Sequence, residues 1–559
     1  MRKILLFTLL LIAFVPVLAK DRSPIEIKSI ALQTLQGLSS SQAHRAQSIS
    51  GDNLKVLHAN SALTVVGLEG EGFVIVANDD MFQPVVGFSD GEFAMDKNDG
   101  LAWYVETASL CMQAALTDNS ARRSPVVPTT APVEPLVTSV WNQDTPFNDL
   151  VPKNSKTDKK YPCGCVATAL GQIMNYHKYP EHGSGYKQYS FKPEDGVGQL
   201  LEANFGETTY DWANIIDNYE GNYTEEQGNA VALMILHCGV SVEMNYTPTG
   251  SGAYSSEAKT GLIKYFLYNK NLGLFYRDYY SMEAWMDMIF TELNNGRPIY
   301  YAGSDSSRGG HAFVFDGYNE DGLVHVNWGW GSNGGNGYYD ISLLNPPGYS
   351  FSRGQDMILG IAKPTEAVEY QSHVVSSEPF EAKLSKIGNN YYVAGISAGN
   401  SLWNLCGDSW SGHLAIVMEN EEHTYVLQDR TVSSTANRFN VLSNISEPFK
   451  AMAKIPADVA DGIYHVFVGS KDERDTAWRL VRRSGEKTNS IVIEVKNGEV
   501  TSSGTTANDT WVPTAISDVR MNDSSSPVRY YDLQGREVDA STRGLVIMKQ
   551  GNSVKKVVR

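Results

Sequence analysis

The pattern of apolar and polar residues over the first two thirds of the chain predicts both helices and strands. Apolar and small residues recur at helical spacing after Val166, and Pro180 ends that run. Residues 62–68 and 72–77 have the apolar, β-branched composition of strands, whereas the apolar spacing over 101–116 is typical of a helix. We therefore expect an α+β fold for this part of the chain.

Strands dominate the remaining patterns. Residues 309–318 and 323–330 are two apolar runs separated by the polar turn 319–322, which predicts a hairpin. After Pro364 only short alternating runs recur, rich in β-branched and aromatic residues. This spacing predicts a β-sandwich of the Ig-like kind over 370–497.

Composition narrows the class of protein. A chain of 559 residues is too long for one core, so three or four domains are expected. The net charge of −17 and the lack of a Lys/Arg cluster argue against nucleic-acid binding. Five cysteines do not make a disulfide scaffold, and the pair Cys163 and Cys165 has no second ligand pair that would indicate a metal site. We expect no metal and no cofactor.

The first 19 residues have the pattern of a signal peptide. Arg2 and Lys3 precede an apolar run over 4–16, and 17–19 form a small-residue cleavage pattern. The run is too short to span a bilayer comfortably. We expect the mature protein to be secreted or held on the outer cell surface.

Cys165 is a candidate nucleophile because it opens the helix that follows it. Unpaired N–H groups and the positive dipole end at a helix N-terminus stabilise a thiolate. The competing interpretation is that Cys165 is a buried small hydrophobe, as most free cysteines are. A histidine partner is therefore needed. His177 lies 12 residues along the same helix, about 18 Å away at 1.5 Å per residue, and cannot be that partner.

The predicted hairpin offers His311 instead. Folding it about its turn places His311 and Asn327 on neighbouring strands, and a direct or diagonal cross-strand pair is about 5–8 Å apart. An asparagine amide can orient a catalytic imidazole, with Trp328 shielding their hydrogen bond from water. Gly310 leaves room for a substrate backbone. The alternative is an ordinary hairpin whose polar residues satisfy one another.

Four stretches carry a resemblance to a known family, namely 164–169, 172–174, 310–314 and 325–331. With cysteine, histidine and asparagine in this order, residues 20–363 resemble the streptopain family of papain-like cysteine peptidases. The resemblance implies these roles: Cys165 as nucleophile, His311 as general base and acid, Asn327 as orienting residue and Gln143 as oxyanion-hole donor.

Three further features bear on the expected function. The loop containing Ser251 and Gly252 is similar to the family's substrate-binding loop, whose backbone pairs with an extended peptide. Cys163 is a departure from the family pattern. It places a second thiol near the proposed nucleophile. The last segment, 516–559, resembles the C-terminal sorting domains that Bacteroidetes use for type IX export, with a structural β tail as the alternative.

The resemblance implies a papain-like catalytic domain with an α+β prodomain, followed by a β-sandwich and a small C-terminal β unit. The expected boundaries are these: signal peptide 1–19, inhibitory prodomain 20–125, papain-like peptidase domain 133–363, Ig-like β-sandwich 370–497, linker 498–515 and sorting-type β domain 516–559.

The expected function is a secreted cysteine endopeptidase made as a zymogen. Its partners would be protein or peptide substrates, its own prodomain as inhibitor and, through the C-terminus, an export machinery. One alternative is a catalytically inactive papain-like protein that binds surfaces, which the intact Cys165, His311 and Gln143 disfavour. Another is a transglutaminase-like acyl transferase. The pair Asn327 and Trp328 argues against it, because transglutaminases carry an aspartate there.

Overall fold

The computed structural model describes most of the chain from residue 20 onward. The predicted signal peptide 1–19 and the segment 118–125 lie outside the described residues. No helix in the described part is both long and apolar enough to cross a membrane. The described residues are 20–41, 49–117, 126–154, 156–193, 198–305, 309–344, 354–396, 402–435, 449–485, 487–511, 513, 528–531, 537–539, 545–550 and 553–558.

The N-terminal segment consists of two helices and four antiparallel strands. Helix α1 buries Ile27, Ala31 and Leu35, spaced four residues apart, against the sheet. The predicted strands over 62–68 and 72–77 are confirmed, as is the helix predicted over 101–116. The elements are α1 Pro24–Ser41, β1 Lys55–Ala59, β2 Leu63–Gly67, β3 Phe73–Ala77, β4 Val85–Ser89 and α2 Asp99–Thr117.

The segment that follows contains four helices and eight strands. Its helices are α3 Cys165–His177, α4 Glu225–Ser241, α5 Ser255–Lys264 and α6 Met282–Asn294. Its strands are β5 Tyr186–Phe191, β6 Gln199–Asn204, β7 Gly273–Tyr276, β8 Ile299–Asp305, β9 Gly309–Tyr318, β10 Val324–Asn327, β11 Gly337–Tyr339 and β12 Gln355–Leu359.

One ten-stranded sheet joins these two segments, in the order β1-β2-β3-β4-β11-β10-β9-β8-β12-β7. The junction is the antiparallel pair β4–β11, in which Ser89 lies opposite Gly337. Separate apolar cores cover the two faces. Helix α3 packs in one core, and α2 and α6 pack in the other around Trp103, Trp285 and Trp328. The sheet thus carries α3 and α2 on opposite sides of β9.

The C-terminal region is built from strands alone. Strands β13 to β24 form three sheets around one core, which includes Val393, Leu414 and Ile493. Strands β25 to β28 form a separate four-stranded sheet. The strands are β13 Val374–Ser376, β14 Lys383–Ile387, β15 Asn390–Ala394, β16 Leu402–Asn404, β17 Trp410–Glu419, β18 Thr424–Thr435, β19 Met452–Lys454, β20 Gly462–Asp472, β21 Arg479–Leu480, β22 Arg482–Arg483, β23 Ser490–Lys496, β24 Glu499–Thr506, β25 Val528–Tyr531, β26 Glu537–Val538, β27 Leu545–Gln550 and β28 Ser553–Val558.

The prediction of a linker over 498–515 is wrong for the first half of this range. Strand β24 lies there and pairs with β23 at the edge of the largest C-terminal sheet. Beyond it, Asp509 accepts a hydrogen bond from the Ser281 N–H at 2.6 Å, and Trp511 stacks on His465 with ring centroids 4.2 Å apart. The side chains of β24 are mostly exposed, so this edge strand has the Ser/Thr-rich composition that also marks linkers.

Candidate active site

Helix α3 begins at Cys165, as the apolar pattern predicts. The preceding Gly164 has φ +96°, and a Cβ there would lie 2.8 Å from the Met244 side chain and 3.0 Å from the Ser251 carbonyl oxygen. Only glycine fits this conformation and this close approach. The chain therefore turns sharply into the helix and presents the Cys165 thiol to the backbone N–H groups of Val166 and Ala312.

His311 lies in β9 and hydrogen-bonds to Cys165, so the structure brings these two predicted residues together. The other contacts of the ring fall on Nε2, which lies 3.0 Å from the Trp328 carbonyl oxygen and 3.2 Å from Trp330 Nε1. A protonated Nε2 donates to that carbonyl. This arrangement leaves Nδ1 as the nitrogen that faces the thiol.

The electrostatics favour an ion pair between the two side chains. Burial alone would raise the pKa of Cys165, but the hydrogen bond and charge of His311 outweigh it, and the pKa is lowered. Burial alone would lower the pKa of His311, but Cys165, the Trp328 carbonyl and the charge of Asp99 leave it raised. Each group stabilises the charged form of the other. Both shifts therefore favour the thiolate of Cys165 and the imidazolium of His311.

Asn327 lies in the same cluster but not where the hairpin argument places it. The hairpin register, which includes a β-bulge between His325 and Val326, pairs Asn327 with Val314, three residues from His311, so Asn327 is neither a direct nor a diagonal partner of His311. Its amide donates to the Ser139 carbonyl at 2.8 Å. The hydrogen bond at His311 Nε2 is therefore made to the Trp328 carbonyl, and Asn327 supports the backbone around that carbonyl.

Gln172 and Trp330 belong to the cluster although sequence reasoning gave them no role. Gln172 and Asn327 exchange two amide hydrogen bonds, both 3.1 Å long. The Asn327 Oδ1 also accepts from the Gly329 N–H at 3.1 Å. Gln172 is seven residues after Cys165, so helical spacing places both on one face of α3 and could have identified it. The Trp330 ring stacks on His311 at 5.9 Å, a contact that depends on tertiary packing.

Of the other predicted site residues, Gln143 and Ser251 lie near Cys165. The backbone groups of Gly252 are instead already hydrogen-bonded within the protein. Gln143 is buried, and its carbonyl accepts from the Cys163 N–H at 3.0 Å. Ser251 donates to the Pro162 carbonyl at 2.7 Å and lies against Gly164. Both backbone groups of Gly252 bond to Asn245. The prediction that Gly252 pairs with an extended peptide therefore conflicts with these bonds.

Gly310 and Trp328 flank His311 in different surroundings. Gly310 is exposed and pairs with Ser304 on β8. Trp328 is fully buried against Phe313 at 4.7 Å and lies under the first turn of α2. Trp328 thus packs beside the imidazole without reaching solvent.

The N-terminal helix α2 covers the histidine. A Cβ on Gly100 would lie 2.7 Å from His311 Cδ2 and 2.5 Å from the Trp328 ring, so the helix backbone is in contact with both. Asn98 caps this helix through the Leu101 N–H at 2.9 Å and also donates to the Gly334 carbonyl on the loop after Trp330. The site is closed on this side by the N-terminal segment.

A cysteine at the start of a helix, paired with a histidine on a β-sheet, is typical of papain-like cysteine peptidases. Residues 141–339 match the Peptidase C10 family. Streptopain from Streptococcus pyogenes is 30% identical over 386 residues, which cover 64% of this chain and 92% of that protein. The chain belongs to the Peptidase C10 family and is a cysteine endopeptidase.

Two other relatives extend the comparison. The thiol protease/hemagglutinin PrtT of Porphyromonas gingivalis is 34% identical over 317 residues, and this chain covers only 36% of its length. A fragment of prointerpain A from Prevotella intermedia is 41% identical with a TM-score of 0.51, and the match covers 55% of this chain and 98% of the fragment. The predicted α+β fold with a papain-like catalytic part is confirmed.

Proposed function

We propose that Cys165 is the nucleophile of this peptidase and that His311 is its general base and acid. The observation that carries the proposal is the contact between these two buried side chains, whose charges stabilise each other. Asn327 and Gln172 are positioning residues that hold the backbone of Trp328, whose carbonyl fixes His311. Gln143 is the oxyanion donor implied by the family resemblance.

The chemistry follows from these positions. The Cys165 thiolate attacks the carbonyl of the scissile peptide bond, and the Gln143 amide and the Cys165 N–H stabilise the oxyanion. His311 gives its Nδ1 proton to the leaving amine as the C–N bond breaks. It then takes a proton from water, whose oxygen attacks the thioester. The carboxylic acid leaves, and the thiolate–imidazolium pair is restored.

We also propose that the chain is made as a zymogen inhibited by residues 20–125. Support comes from the contact of Gly100 with His311 and Trp328, which places helix α2 directly against the imidazole. A second contact holds the loop after Trp330, because Ser89 donates to the Asn336 carbonyl at 2.6 Å. Cleavage after 117 would let this segment leave and open the site.

The test is hydrolysis of casein by purified full-length protein that has been allowed to process itself. Cys165→Ala abolishes both casein hydrolysis and self-processing, because no other group can form the acyl-enzyme. Cys163→Ala is the matched control, since it removes a buried thiol two residues away and keeps most of both activities. An active Cys165→Ala variant together with an inactive Cys163→Ala variant would overturn the assignment.

We propose that the protein is secreted, or held on the outer surface, and that 516–559 directs its export. The proposal rests on the predicted signal peptide 1–19 and on the resemblance of the C-terminal segment to sorting domains. Deleting 516–559 leaves the purified enzyme active but retains it inside the producing cell. Assays of periplasm and medium separate the outcomes, and normal release of the truncated enzyme would contradict the export role.

A further inference from the structure

A carboxylate lies two strands away from Ala312, on the face of the sheet that packs against α3 and Cys165. Directly paired residues of neighbouring strands share a face, and one such row crosses β9, β8, β12 and β7 through Ala312, Ala302, Asp356 and Tyr276. The N–H of Ala312 bonds to Cys165. Two strand spacings separate Ala312 from Asp356, about 10 Å, with only the small Ala302 between them.

A series of contacts connects Asp356 with the predicted substrate loop. Ser255, the first residue of α5, hydrogen-bonds to the Asp356 carboxylate, and its hydroxyl lies 3.4 Å from the Tyr300 hydroxyl. Tyr300 is also within electrostatic reach of Cys165. Helix α5 begins directly after the loop that holds Ser251 beside Gly164. Tyr300 and Ser255 therefore lie between the proposed nucleophile and the Asp356 carboxylate.

The carboxylate has an unused acceptor. Among the described residues, nothing donates a hydrogen bond to the buried Asp356 Oδ1. Lys259, one turn further along α5, does not serve it, because its ammonium is paired with Asp408 at 3.2 Å. Asp356 and Ala302 themselves keep partial contact with solvent. Burial raises the pKa of Asp356 to about 7, against the hydrogen bond from Ser255.

We propose that Asp356 ends a substrate side-chain subsite beside Cys165 and selects an arginine or lysine on the acyl side of the scissile bond. A long basic side chain spans the distance over Ala302 and supplies the donor that Oδ1 lacks, and hydrogen bonds between charged groups are the strong ones. This inference rests on the proposed catalytic role of Cys165 and names the substrates of the same site.

The experiment compares cleavage of peptides that carry arginine or leucine at each of the two residues before the scissile bond. Full-length protein that has processed itself is used as wild type, as Asp356→Asn and as Asp211→Asn. Asp211 is an exposed carboxylate that bonds only locally, to Asn214 at 2.7 Å, so its variant controls for the loss of one charge.

Wild type and Asp211→Asn prefer arginine over leucine at one of the two positions by roughly 10-fold or more in kcat/KM. Asp356→Asn loses that preference, because its kcat/KM on the arginine peptide falls to that on the leucine peptide. Equal cleavage of both peptides by wild type, or an unchanged preference in Asp356→Asn, overturns the inference. Failure to cleave either peptide while casein is still hydrolysed also overturns the inference, whereas failure to hydrolyse casein as well refutes the proposed catalytic role of Cys165.

Discussion

The two thiols at Cys163 and Cys165 show how surroundings decide the chemistry of identical residues. Both are buried, and they are separated by one glycine. Burial raises the pKa of Cys163 to about 12, and its nearest polar neighbour is the neutral hydroxyl of Thr168 at 3.4 Å. Cys165 faces His311 and two N–H groups instead, and its pKa is lowered. At the scale of single residues, contact with an imidazolium separates a reactive thiol from an inert one.

The pH dependence of Cys165 alkylation follows from the directions of these pKa shifts. The pKa of Cys165 is lowered, so its thiolate is present at pH values where an ordinary thiol, with a pKa of about 8.5, is still protonated. The rate of iodoacetamide alkylation should rise with a midpoint below that value, and Cys163→Ala should leave the profile unchanged. A midpoint at or above 8.5 would contradict the ion pair.

A second prediction concerns the amide pair of Asn327 and Gln172. Asn327→Ala should lower kcat by on the order of 100-fold with a smaller change in KM, because a misplaced imidazole mainly affects the transition state. Gln172→Ala should act in the same direction. The double variant should lose less than the product of the two single effects, since both changes break the same two hydrogen bonds. Fully multiplicative effects would show that the residues act separately.

The elements themselves were largely predictable, whereas their contacts were not. The apolar spacing gives α3 with Cys165 at its start, and the polar turn gives the hairpin β9–β10. The position of Asn327 was missed because the hairpin places it opposite Val314, three residues short of His311, and the side-chain cluster that still brings the two together depends on tertiary packing. Likewise the periodicity over 101–116 gives a helix but not the packing of Gly100 on His311, because that contact joins residues far apart in the chain.

A substitution at Gly100 tests that packing. Gly100→Ala places a methyl group within 2.7 Å of His311 and 2.5 Å of Trp328, and overpacking of this kind costs about 1–3 kcal/mol. The N-terminal segment should then dock less tightly, and self-processing should be roughly tenfold faster. Gly37→Ala in α1 is the control, because nothing lies within 4 Å of its Cβ position. Equal processing rates for the two variants would argue against an inhibitory contact at α2.

At the scale of the whole molecule, the C-terminal β region is packed against the peptidase part through buried polar contacts. Lys259 on α5, only 1% exposed, pairs with Asp408 at 3.2 Å. His373 stacks on Tyr280 with ring centroids 5.7 Å apart, and burial lowers the pKa of His373 to about 3, so this imidazole is neutral. The contacts tie the β region to α5 through Lys259 and to the segment before α6 through Tyr280.

The ion pair at this junction gives a stability prediction. Asp408→Asn leaves the Lys259 ammonium buried without its charge partner and should cost about 2–3 kcal/mol, less than for a fully buried pair because Asp408 is 31% exposed. Lys259→Met, which removes the buried charge altogether, should cost less. Glu499→Gln, at a pair whose carboxylate is 70% exposed, should be near neutral. Thermal unfolding measures all three, and equal losses for Asp408→Asn and Glu499→Gln would contradict a buried junction.

The most direct test of the central claim is to identify which cysteine becomes covalently attached to an epoxysuccinyl inhibitor. Full-length protein that has processed itself is incubated with the inhibitor at neutral pH, digested and mapped by mass spectrometry. The account predicts that Cys165 alone is modified, that Cys163 in the same peptide stays free, and that casein hydrolysis is lost in step with the labelling. Modification of Cys163, or full casein hydrolysis after complete labelling of Cys165, would contradict it.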